Sequence, residues 1–108
     1  MGTATEPIVI ETRQDFETAL DEKGVVLVDF YADWCGPCKR MNPVLEEVAE
    51  ETAATLAKVD VDSQQELAQE HEVRSVPTIK IFADGNEVER LVGVQKKEQL
   101  AEIIKKYN

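Results

Sequence analysis

Val25-Val26-Leu27-Val28-Asp29-Phe30-Tyr31-Ala32-Asp33-Trp34-Cys35-Gly36-Pro37-Cys38-Lys39 is the stretch that decides how this chain folds. Residues 25–31 are apolar at nearly every position, the pattern of a strand covered on both faces at the centre of a mainly parallel sheet, and the charge of Asp29 interrupts it. Gly36-Pro37 then opens a helix, because the first helical turn leaves its N–H groups unused and proline brings a φ already suited to it. Met41, Val44, Leu45, Val48 and Ala49 recur about every 3.6 residues and predict the helix face that covers the sheet. Pro43 falls inside that helix and predicts a kink. A second apolar run, Leu56-Ala57-Lys58-Val59-Asp60-Val61-Asp62, predicts another strand, which a right-handed crossover lays parallel beside the first.

Around this βαβ unit the chain reads outward in both directions. Upstream, Ile8-Val9-Ile10 predicts a brief strand, Thr12 and Asp15 have the spacing of a capped helix start, and Phe16, Ala19 and Leu20 give that helix an apolar face, with Gly24 available to end it. Downstream, residues 65–71 predict a short helix carrying Leu67 and Ala68, and Val76-Pro77 leads into a strand over 78–82. Asp84-Gly85-Asn86 before Val88-Glu89-Arg90-Leu91-Val92 is a hairpin signal, so the last two strands are antiparallel and the sheet is mixed. Leu100, Ala101, Ile103, Ile104 and Tyr107 mark a final helix, with Lys105 and Lys106 at the negative end of its dipole. The expected fold class is α/β, a five-stranded mixed sheet flanked by about four helices in the order βαβαβαββα.

At 108 residues and 43% hydrophobic, the chain suffices for one domain with a core, expected over residues 1–108 with 1–7 as a flexible extension. Its 22 acidic against 12 basic residues give a net charge of −10, which opposes the approach of phosphate backbones, so nucleic acid is not an expected partner. The acidity is spread along the chain and suits a salty habitat and ordinary variation equally. Residues 1–7 have neither the basic start nor the apolar run of a signal peptide, and Glu6 stands where a myristoylation pattern starting at Met1-Gly2 wants Ser or Thr. No apolar stretch approaches spanning length, so the expectation is a cytoplasmic chain with no membrane association or lipid anchor.

In that compartment a lone cysteine pair points to catalysis, redox sensing or metal binding before a structural staple. Two thiols on the first turn of a helix lie on one side of it, close enough to alternate between dithiol and disulfide. Cys35 at the helix N-terminus meets unpaired N–H groups and the positive end of the dipole, which favour the thiolate, the nucleophile of disulfide exchange. Cys38, one turn further in, is expected to be shielded and to resolve the mixed disulfide that an exposed Cys35 forms. The alternative is half a zinc site, but beyond carboxylates the chain adds only His71 to its two cysteines, short of the four ligands zinc wants. The expectation is no metal, with His71 a solvated surface residue in a Glu-rich segment.

Three further positions carry open readings. Asp29 is either a desolvated acid of raised pKa, able to accept a proton, or a strand-end aspartate near solvent. Trp34 is either a core aromatic or an exposed apolar platform beside Cys35. Val76-Pro77 is cis or trans; its pattern does not choose.

Taken together these residues resemble the thioredoxin family: residues 28–39 look like its active-site strand, turn and helix start, and Pro43, Lys58-Val59-Asp60, Val76-Pro77-Thr78, Phe82, Gly85 and Gly93 recur at its spacings. The similarity covers essentially everything from about Ile8 onward, with Tyr31 replacing a tryptophan common in bacterial members and Ser75 standing where many have glycine or threonine. The resemblance implies the thioredoxin fold and a general protein-disulfide reductase, with Asp29 assisting proton transfer at Cys38 and Lys58 beside Asp29. It further implies a cis Val76-Pro77 bond facing the cysteines and a docking surface of Trp34, Gly36, Pro37, Val76, Pro77, Gly93 and Val94. Protein disulfides as substrates, a thioredoxin reductase as electron donor, no bound cofactor and a monomeric state go with it. Two other functions remain compatible: a disulfide oxidase or isomerase on the same fold, against which Gly36-Pro37 argues, and a redox-gated binding subunit.

Overall fold

In the computed structural model, which describes residues 6–108, five strands and four helices follow one another as β1 (Ile8–Val9), α1 (Arg13–Leu20), β2 (Val25–Tyr31), α2 (Gly36–Thr52), β3 (Thr55–Asp60), α3 (Gln65–Glu70), β4 (Thr78–Ala83), β5 (Asn86–Val92) and α4 (Lys97–Tyr107). Residues 1–5 of the expected flexible extension lie outside the described residues, as does the Met1-Gly2 start.

The sheet order is β1-β3-β2-β4-β5, with β2 at the centre between parallel β3 and antiparallel β4, while β1 runs parallel to β3 and β5 antiparallel to β4. Residues 25–30 of β2 are buried, as a strand covered on both faces requires. Side chains alternate along it: Val25 and Leu27 pack with Met41, Leu45, Val48, Leu100 and Ile104, whereas Val26, Val28 and Phe30 pack with Phe16, Ala19, Leu67 and Phe82. Thus α2 and α4 cover one face, and α1 and α3 the other. Full burial of each such side chain stabilises by roughly 1.5–3 kcal/mol, so the sheet is held from both sides. By the same alternation Asp29 and its β3 register partner Lys58 project toward α2.

Local chemistry explains where elements start and stop. Thr12 Oγ1 accepts from Asp15 N at 3.0 Å and Asp15 Oδ2 accepts from Thr12 N at 3.1 Å, a reciprocal cap that fixes the start of α1. That helix ends at Leu20, capped by Asp21, so Gly24 (φ +83°) instead turns the connection into β2. β3 stops at Asp60, two residues short of the apolar pattern's end, because Asp60 Oδ1 accepts from Asp62 N at 2.8 Å and bends the chain away. α2 runs unbroken through Pro43. Asp84 (φ +52°) and Gly85 (φ +84°) form the hairpin turn, both left-handed, between the paired residues Ala83 and Asn86.

Candidate active site

The strand β2 delivers the chain to the N-terminus of α2, where Cys35 is the N-cap and is disulfide-bonded to Cys38, Cα to Cα 5.3 Å. The Cys38 N–H donates to Cys35 Sγ at 3.1 Å. Cys35 sulfur therefore occupies the place of a capping oxygen, where a thiolate gains a backbone donor and the positive end of the helix dipole. The expected contrast between an exposed Cys35 and a shielded Cys38 is absent in this disulfide form: the residues are 3% and 2% exposed. Ala32 clusters with the pair, and Tyr31, Val61 and Val76 pack against that cluster. What distinguishes the two sulfurs is position, one at the cap and one inside the helix.

Asp29 is fully buried, which removes the solvent-side reading. Burial pushes its carboxyl up from 3.8 to about 6, against the opposing pull of the Lys58 ammonium 3.9 Å away. Neither carboxylate oxygen has a hydrogen-bond partner among the described residues. Lys58 gives its hydrogen bond elsewhere, to Asn42 Oδ1 at 2.6 Å, and its Nζ lies 4.6 Å from the centre of the Tyr31 ring. The Tyr31 phenol is itself raised, first by burial and then by the charges of Asp60, Asp33 and Asp29. A carboxyl raised to about 6, on the side of the sheet that faces the helix carrying the cysteines, is chemically able to take and return a proton.

On the outer side, Trp34 is 72% exposed, which removes the core-aromatic reading, and its indole N–H donates to Asp62 Oδ2 at 3.0 Å as a polar anchor. Trp34, Val61, Val73, Arg74, Ser75 and Val76 line a small hollow beside it. The Val76-Pro77 bond is cis. Gly93 (φ +91°) donates its N–H to the Pro77 carbonyl at 2.8 Å, which ties the end of β5 to the proline loop and leaves Val92 and Val94 exposed. Gly36 sits in the first turn of α2 with open space where a side chain would project.

Two residues were not legible as they stand. Asn42 carries no motif, and only its contact with Lys58 draws it to the site. His71 is not the solvated residue expected: it is half-buried, its ring 5.1 Å from Phe16, 5.7 Å from Phe30 and 6.3 Å from Phe82. Burial, then the neighbouring Lys80 ammonium 3.1 Å from Nδ1, lowers its pKa. The available signal was its position four residues after Leu67, on the same side of α3.

The thioredoxin family model matches residues 7–106. Thioredoxin of Staphylococcus aureus (strain Mu50 / ATCC 700699) is 49% identical over 102 residues, covering 93% of this chain and 97% of its own. Among solved structures, a point mutant of the thioredoxin from Halobacterium salinarum NRC-1 superposes with a TM-score of 0.93 at 44% identity, covering 99% of this chain and 95% of that one. Plasmodium falciparum thioredoxin gives 0.82 at 33% identity, covering 94% and 99%. With the family model matching nearly the whole chain and both relatives and solved structures alike along its length, the chain belongs to the thioredoxin family and, with its Cys35–Cys38 pair, is a thiol–disulfide oxidoreductase.

Proposed function

We propose the following course for the reduction of protein disulfides by this chain. In the dithiol form, the Cys35 thiolate attacks one sulfur of a substrate disulfide; a Cys35–substrate bond forms and the second substrate sulfur leaves as thiolate, to be protonated. Asp29 takes the Cys38 proton, and the Cys38 sulfur attacks Cys35 Sγ, forming the Cys35–Cys38 bond and releasing the first substrate sulfur. Two electrons have then passed to the substrate, and the proton held by Asp29 is returned to solvent or product. Lys58 moderates the basicity of Asp29. Trp34, Gly36, Pro37, Val76, Pro77, Gly93 and Val94 form the face that receives an extended substrate segment, with the backbone of Val76 pairing to it.

The oxidised pair is returned to dithiol by a thioredoxin reductase, so the chain needs no cofactor of its own. We place this cycle in a monomer, a single domain over residues 1–108, in the reducing cytoplasm. The observation that carries the reading is the Cys38 N–H aimed at Cys35 Sγ on the N-terminus of α2. The test is insulin disulfide reduction with a dithiol reductant for the parent and Cys35→Ser, together with the equilibrium potential of the pair against glutathione. Loss of turnover and a strongly reducing potential support the reductase; an oxidising potential supports an oxidase instead. The exposed Trp34–Val94 face favours a second reading, a redox-gated binding subunit, which gains if Cys35→Ser retains full biological function.

A further inference from the structure

Lys58 is the charge that faces Asp29, yet the two are not hydrogen-bonded. The ammonium stands 3.9 Å from Asp29 Oδ2 and donates to Asn42 Oδ1 at 2.6 Å instead, with the Tyr31 ring closing a third side. Asn42 lies on α2, seven residues beyond the N-cap Cys35, while Asp29 and Lys58 are paired across β2 and β3. Three elements therefore meet at one ammonium group. An ammonium free to choose beside a buried carboxylate would bond it, since charge-assisted hydrogen bonds are the stronger kind. A neutral side-chain carbonyl holds it instead, and both Asp29 oxygens are left without a hydrogen-bond partner among the described residues.

We infer that Asn42 is a positioning residue for disulfide exchange: by accepting the Lys58 hydrogen bond, it holds that ammonium just beyond bonding distance of Asp29 and so leaves the carboxylate basic enough to take the Cys38 proton. The inference rests on the reading of Asp29 as that proton acceptor. Held by Asn42, Lys58 eases the ionisation of Asp29 without capturing it. The charge that acts on Asp29 is Lys58 of β3; Tyr31 of β2, itself under the charges of Asp60, Asp33 and Asp29, stacks on Lys58, Cys38 of α2 is held in the disulfide and does not titrate, and on the β4 side the register partner of Asp29 is the uncharged Ile79. Burial holds the Asp29 carboxyl near about 6 with Lys58 in its present place. A Lys58 released onto the carboxylate would bring it down.

The test compares the parent with Asn42→Leu, which removes the acceptor, and Asn42→Asp, which keeps one. The midpoint of Asp29 is read from its side-chain carboxyl carbon by NMR titration, and the pH profile of insulin disulfide reduction is taken in parallel. Asn42→Leu is expected to lower the Asp29 midpoint by about one pH unit and to move the acidic limb of the rate profile down with it, while Asn42→Asp keeps Lys58 engaged and leaves less of that effect. In a Lys58→Met background the Asn42→Leu effect should vanish, because there is no ammonium to release. An Asp29 midpoint that stays or rises in Asn42→Leu overturns the inference while leaving the exchange reading intact. A midpoint that falls without any movement of the rate profile overturns the assignment of Asp29 as proton acceptor, and the role of Asn42 with it.

Discussion

Replacing Asp29 by alanine removes a carboxyl that sits at the centre of the sheet, fully buried. Its pKa is 3.8 in an ordinary environment and about 6 here, so the native chain still holds a proton over a range where the unfolded chain has released it. Stability must therefore fall as pH rises from the ordinary value through the native one, and the penalty is complete above it. The span from 3.8 to about 6 is roughly two pH units, at about 1.4 kcal/mol each, or about 3 kcal/mol. Alanine also leaves a small cavity, but that loss does not depend on pH. The informative quantity is hence the difference between parent and Asp29→Ala at two pH values. Urea unfolding of the disulfide form, followed by far-UV circular dichroism at about pH 4 and about pH 8, should show the variant gaining about 2–3 kcal/mol on the parent toward the higher pH. Other carboxylates titrate in both proteins and cancel. A gain below about 1 kcal/mol, or a variant that loses ground at the higher pH, would refute a desolvated Asp29.

Other outcomes follow from the same geometry. Trp34→Ala removes an exposed platform with one anchor to Asp62, so unfolding free energy should change by less than about 1 kcal/mol while KM for a protein disulfide rises more than kcat falls. Gly93→Ala places a side chain on φ +91° and should cost about 1 kcal/mol or more, whereas Gly36→Ala, with ordinary φ and open space, should leave stability within about 0.5 kcal/mol. His71 is held neutral by burial and by Lys80, against the opposing charges of Glu87 and Glu70, with Arg13 adding to Lys80. The native chain thus binds fewer protons there than the unfolded one, so stability should be lost as pH falls below 6.5, and His71→Leu should flatten that loss in unfolding curves.

The fold was readable where a residue's role is set by its neighbours in sequence. The apolar run 25–31 became β2 at those bounds, Thr12 and Asp15 became a reciprocal cap, and Asp84-Gly85 became the hairpin turn, because alternation, capping and positive φ are local properties. The Cys35–Cys38 pair was legible for the same reason. Legibility failed where a role depends on what another segment brings. Asn42 and Lys58 are 16 residues apart and meet only through the βαβ crossover. His71 sits among acidic residues in sequence but among Phe16, Phe30 and Phe82 in space, since the end of α3 folds down on that side of the sheet. A place at a helix end predicts an exposed Cys35; Val61 and Val76, which pack on the pair together with Tyr31, come from segments distant in sequence.

The shared burial of the two sulfurs has a consequence for how current enters and leaves the molecule. Neither offers much area to a reagent arriving by diffusion from an arbitrary direction. On the proposed docking face, a donor or acceptor sulfur carried by a body that presses against Trp34 and Val76 would reach the pair more readily than one arriving alone. The pair then behaves as a recessed contact in an insulated housing: the conductor is common to every partner, and the shape of the plug determines which of them closes the circuit.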